Sequence, residues 1–130
     1  MSEKLAIIIA SEEYEKSHVA SMIASVAAVS GMNVSIFVTM NAVYNYLKET
    51  VEKKNFTGGK IYEQIKEKKS AMFYELFYSA KMLGDLKIYV CSMVMDILKI
   101  EKDDLIDIVD DNVGIAAFLG IMEGAETITF

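Results

Sequence analysis

The chain contains no arginine, and all 13 of its basic residues are lysines. Bidentate guanidinium recognition of a phosphate or carboxylate is therefore closed to a single protomer. A lone cysteine excludes an internal disulfide and an intrachain dithiol redox pair. With only one histidine beside it, the usual nitrogen and sulfur ligand set for zinc cannot be completed within one chain. Neither GxGxxG nor GxxxxGK[ST] occurs, so dinucleotide and P-loop readings fail, and Gly58-Gly59-Lys60 is too weak a signal to restore them. There is no GxSxG elbow, and His18 as the sole histidine gives hydrolase triads little support. Net charge is −6, which argues against nucleic acid or an anionic membrane surface as partner. No secretory pattern opens the sequence, so a reducing cytoplasm is the expected setting and no cofactor is implied.

What is present is apolar. Hydrophobic residues make up 53% of 130 positions, enough for one domain over residues 1–130 with surface left for burial in a homo-oligomer. No charged residue occurs from Ser17 to Leu47, taking His18 as neutral. A transmembrane segment is not the expected reading, because serines and asparagines interrupt the stretch and its periodicity changes at Gly31. A buried helix, a turn and a buried strand fit better.

Residues 4–10 read as a strand buried on both faces. Ser11 is a candidate cap for a helix with Glu12 and Glu13 in its first turn and Val19, Met22, Ile23, Val26 and Val29 on its face. Gly31 supplies the left-handed stop. A second strand is expected at 33–39, and a second helix at 42–53 capped by Asn41. Residues 54–69 form a polar excursion, helical from about Ile61 and mobile; from Lys48 to Lys69 there are seven lysines against four glutamates. It reads as a solvated loop, with a flap or a docking patch for an acidic partner as the sharper alternatives. An apolar helix follows at 70–83, part of which should face another subunit or a moving element. The third strand is expected at 87–90, a last helix at 113–123 and a last strand at 126–130. Small residues Gly114, Ala116, Ala117 and Gly120 predict close packing of that helix on the sheet. Alternation of strands and helices argues an α/β sheet, parallel and covered on both faces. The acidic run at Asp103, Asp104, Asp107, Asp110 and Asp111 lacks calcium-loop spacing and reads as exposed carboxylates, so no metal site is expected.

The segment 87–100 matters most, since it carries Cys91 at the point where a strand gives way to a helix. In an open α/β sheet that junction borders the crevice at the carboxyl ends of the strands. A helix amino terminus there favours a thiolate. Met93, Ile97 and Ile100 share one helical face. Met93 and Met95 offer soft sulfur nearby, though packing is the commoner role. Asp96 lies about one turn beyond the cysteine, where it could orient the loop but would oppose thiolate formation. His18 is a candidate acid or base near the crevice, with a packed histidine as the alternative. Free cysteine is itself among the most buried residue types.

Cys91-Ser92-Met93-Val94-Met95-Asp96 resembles the C-x-M-x-M-D segment of the DsrE/DsrF-like family, relatives of sulfur-relay carriers. Asp104-Leu105-Ile106-Asp107 is similar to the acidic stretch downstream in that family, and Gly31-Met32-Asn33-Val34 with Phe37-Val38-Thr39 to its second-strand region. The resemblance implies a three-layer α/β/α domain with a largely parallel five-stranded sheet, assembled into homo-oligomers. It also implies that Cys91 accepts sulfane sulfur from a donor, a protein or a small sulfur species, and passes it to a partner thiol. Ser92, Met93, Met95, Asp96 and His18 are the supporting candidates. Two departures stand out: Lys99 replaces a frequent glycine, and Asp111-Asn112-Val113 replaces a glycine-rich approach to the last helix. The competing expectation is a non-catalytic oligomeric module that binds a small ligand and merely packs Cys91.

Overall fold

Five strands run parallel in the order β4-β3-β2-β1-β5: β1 Lys4–Ile9, β2 Asn33–Val38, β3 Asp85–Cys91, β4 Asp111–Val113 and β5 Glu126–Thr129. The computed structural model describes residues 3–130. Between the strands lie α1 Tyr14–Val29, a 3₁₀ segment Met40–Tyr46, α2 Lys48–Lys53, α3 Lys60–Glu67, α4 Phe73–Leu83, α5 Ser92–Leu98 and α6 Ile115–Ile121. The chain steps in one direction from β1 to β4, so right-handed crossovers place α1 and α4 side by side on one face. Its return from β4 to β5 carries α6 to the other face. The result is the expected three-layer α/β/α architecture.

Register shows how the two faces divide. Ile7, Ile36 and Ile88 lie in one cross-strand row and are fully buried. Ile8, Phe37 and Tyr89 form the neighbouring row on the opposite face, where Phe118 of α6 stacks on Phe37 and meets Tyr89 edge-on. Each large apolar side chain taken from water in this way contributes about 1.5–3 kcal/mol. A second aromatic cluster joins Tyr14, Phe56, Tyr62 and Phe73.

Several local expectations need correction. The first helix starts at Tyr14, and Ser11 does not cap it; its hydroxyl accepts instead from the Glu13 amide. Residues 11–13 stay out of the helix because Glu13 bridges to Thr57 and the Tyr14 amide donates to the Thr57 carbonyl. More consequentially, α1 is turned over. Its buried face is Tyr14, Ser17, Ala20, Ser21, Ala24, Ala27 and Ala28, while Val19, Met22, Val26 and Val29 point outward. Small residues let the helix sit close to the sheet and α4, and proximity wins over side-chain hydrophobicity in choosing the inner face. Gly31 does end it, at φ 95°.

The helix expected at 42–53 is broken at Leu47, which is extended and bridges to Leu105, so Asn41 caps nothing. The apolar helix at 70–83 starts only at Phe73, where the Glu75 carboxylate accepts from the Met72 amide. The last helix is shorter than residues 113–123, because Asp111–Val113 forms β4. Gly114, Ala116, Ala117 and Gly120 face solvent, and Phe118 is the one residue of that helix that is buried. Asp110 is not an exposed carboxylate. It is half-buried, accepts from the Ile88 amide at 2.8 Å, and pairs with Lys81.

The excursion at 54–69 is anchored. Glu15 of α1 caps α3 from outside, its Oε2 accepting from the Gly59 amide at 2.8 Å and the Tyr62 amide at 3.0 Å. Gly58 leaves the space that the Tyr62 ring occupies, and that ring is buried beside Tyr14. All seven lysines remain exposed. Glu15→Ala is expected to cost about 1–2 kcal/mol, the worth of a charged helix cap on a partly exposed site. Hydrogen exchange over residues 57–67 should accelerate; unchanged exchange there would show that the aromatic contacts alone hold the segment.

Candidate functional site

Cys91 closes β3 and occupies the cap position of α5, in extended conformation at φ −64° and ψ 119°. Ile88, Tyr89 and Val90 before it are β-branched or aromatic, and they pair with β2 through Val38 opposite Val90. On its other side Cys91 lies opposite Val113 of β4. The residue thus sits at the carboxyl end of the sheet, as expected. It is also 5% exposed, which the sequence left open.

The helix after Cys91 has seven residues, about two turns. Val94 and Met95 are its buried residues, whereas Met93 and Ile97 point outward. The face defined by Met93, Ile97 and Ile100 is therefore not the packed one, and Ile100 lies beyond the helix end. Lys99 ends the helix in left-handed conformation at φ 55°, the backbone state that a glycine adopts without strain.

The supporting residues divide. Ser92 follows Cys91 directly, and its hydroxyl accepts from Asn112 Nδ2 at 2.8 Å, tying the start of α5 to β4. Met95 is buried in the core; Met93 and Asp96 are exposed. His18 belongs to a different neighbourhood. Its Nδ1 lies 3.0 Å from the Tyr14 hydroxyl, which also accepts from the Phe73 amide at 3.0 Å and approaches the Met72 sulfur. Burial lowers the His18 pKa, with Glu15 opposing, so the neutral ring is favoured in that setting. Burial likewise raises the Tyr14 and Tyr46 hydroxyls well above the usual phenol range, and Tyr46 is satisfied by Ser17 at 3.1 Å. Among the described residues no hydrogen bond links the Cys91 side chain to any of these groups. Ser92 adjoins the cysteine in the chain, Met95 is buried on the same short helix, and His18 belongs to the aromatic cluster around Tyr14.

Asn112 is a neighbour of the site that nothing in the local sequence pattern marks. Its role comes from β4, a strand too short and polar to be read from propensity. Asp110 escapes a sequence reading for the same reason. Its amide and carboxylate both bond to Ile88, which aligns β4 with the strand that carries Cys91.

No helix among the described residues is long and apolar enough to cross a membrane. No curated protein matches the chain. Among solved structures, a protein of unknown function from Methanobacterium thermoautotrophicum superposes with a TM-score of 0.57 over 98% of both chains at 17% identity, a likeness of fold. The DsrE/DsrF-like family model matches residues 3–130, almost end to end, and the chain belongs to that family.

Proposed function

We propose that the chain is a sulfur carrier that holds sulfane sulfur on Cys91 and delivers it to a partner thiol. The observation that carries this reading is the placement of the only cysteine at the β3–α5 junction, in a family associated with sulfur relay. The Cys91 thiolate attacks the outer sulfur of a donor persulfide; the donor S–S bond breaks, its electron pair leaves on the donor thiolate, and Cys91 becomes the persulfide. An acceptor thiolate then attacks that outer sulfur, and Cys91 leaves as thiolate. No net oxidation occurs and no cofactor is needed. The second thiol always belongs to another molecule, which suits a chain with one cysteine. Burial shelters the persulfide from oxidants, and transfer then requires local opening around α5. The carrier acts as a single domain in a reducing cytoplasm, assembled as a homo-oligomer.

Burial of the sulfur favours a second reading, a non-catalytic ligand-binding module in which Cys91 is a packing residue. Polysulfide treatment followed by intact mass measurement separates the two. Wild type is expected to gain whole sulfur atoms that dithiothreitol removes, and Cys91→Ser to gain none. Equal adducts on both proteins would sink the carrier reading. Failure of wild type to react in native buffer, with prompt labelling of Cys91 once unfolded, would establish the packing role.

A further inference from the structure

Thr39 is the first residue past β2, and sheet geometry still governs it. Its backbone is extended at φ −139° and ψ 173°, and its amide donates to the Ile9 carbonyl at 2.9 Å, the next rung of the β1–β2 ladder. Side chains alternate along an extended chain, so Thr39 shares a side of the sheet with Phe37. That is the side on which Phe37 and Tyr89 meet Phe118 of α6. On β3 the same alternation gives Tyr89 and Cys91 one face. Val38 stands opposite Val90, so the step that follows sets Thr39 beside Cys91, on strands about 4.8 Å apart.

The other side chains of that row cannot donate a hydrogen bond. Ala10 follows Ile9, the partner of Val38, and Val113 stands opposite Cys91. Thr39 is 9% exposed, and its hydroxyl makes no hydrogen bond among the described residues. No sealed polar side-chain atom among the described residues lacks a partner, so the Thr39 oxygen is one that solvent reaches. A side chain nine-tenths buried thus keeps an unengaged donor at the level of the cysteine. β-Branching leaves threonine few rotamers, which holds that donor in place. α5 offers less, since Ser92 is tied to Asn112 and Met93 and Asp96 face solvent.

From this we infer that Thr39 donates a hydrogen bond to the Cys91 sulfur, to the thiolate before loading and to the ionised persulfide after it. Only the second half rests on the carrier reading; the bond to the thiolate needs no sulfur cargo. Thr39 exchanges no proton. The thiol proton leaves to solvent, the thiolate electron pair forms the new S–S bond, and the Thr39 O–H bond stays intact throughout. Hydrogen bonds to a charged group are the stronger kind, so the loss of one hydroxyl is measurable. A threonine that merely filled space would give way to valine, of the same branched shape, without loss of reactivity.

Thr39→Val, Thr39→Ala and Thr39→Ser in the full chain test the assignment. Alkylation of Cys91 by iodoacetamide at neutral pH is expected to slow about tenfold in the valine and alanine variants. Thr39→Ser, which keeps the hydroxyl, should stay within about threefold of wild type. Polysulfide loading, read by intact mass, should fall in the same order, with thermal unfolding of Thr39→Val unchanged. The alanine variant carries the comparison if the valine variant does not fold. Thr39→Val reacting as fast as wild type or faster would overturn the inference. So would Thr39→Ser as slow as Thr39→Val, which would make the residue one of packing. If alkylation follows the expected order while wild type takes up no sulfur, the bond to the thiolate stands and the carrier reading fails. If wild type loads sulfur and no variant differs from it, the carrier reading stands and the role of Thr39 falls.

Discussion

Phe118→Ala is expected to lower the unfolding free energy by about 3–5 kcal/mol, the range for deleting a fully buried aromatic. Phe118 is the only buried residue of α6, and its ring stacks on Phe37 at a centroid distance of 4.6 Å. Of the other side chains on that helix only Ile121 packs against the core, and it is half-buried. Truncation therefore removes both the transfer energy and the helix's main anchor. Urea denaturation measures the loss, and hydrogen exchange over 115–121 should rise toward that of an unprotected segment. Leu119→Ala, one position on and exposed, should stay within about 0.5 kcal/mol of wild type. A Phe118→Ala cost below about 1 kcal/mol would mean that α6 is held by something other than aromatic packing.

Asp110→Ala comes next, with an expected loss of about 3 kcal/mol at neutral pH. Removing the carboxylate leaves the partly buried Lys81 ammonium without its counter-charge, with the Leu86 carbonyl as its remaining acceptor, and takes away the acceptor for the Ile88 amide. Breaking a buried pair costs about 3–5 kcal/mol, and the partial exposure of both side chains places this one at the low end. Lys81→Met should cost less, since Asp110 keeps its bond to the Ile88 amide. A double-mutant cycle of the two isolates the ion pair from the backbone bond. The same change should reach the site, because Asp110 holds β4 in register beside the strand ending at Cys91. Alkylation of Cys91 in native buffer is expected to quicken in Asp110→Ala. An unchanged rate would show that access to the sulfur is set by α5 alone.

Much of the fold was legible in the residues. Long apolar runs at 4–10 and 33–39 have no other place in a chain of this size than the centre of a sheet, and both are there. Alternation of strand and helix then fixed the class. Orientation of α1 was not legible, because a helix that carries large residues on one side and alanines on the other has two apolar faces. Periodicity cannot say which of them faces the chain's own core. β4 was hidden by Asp111 and Asn112, whose propensities point away from a strand and whose pairing is supplied by β3. At the site, the position of Cys91 followed from the change of period at residue 91. Its burial did not, since exposure depends on what α5, β4 and their loops lay over it. The anchoring of 54–69 rests on Glu15, far away in sequence, and no local pattern announces such a partner.

Both borders of the sheet are very short, three residues in β4 and four in β5. A long bare border strand is a template on which further chains can add strand by strand, and brevity is one of the ways natural sheets blunt it. A protein that leaves so many aliphatic side chains in water therefore offers little purchase for fibrous growth. Its stickiness is confined to helix surfaces, where association saturates as soon as matching faces are used up.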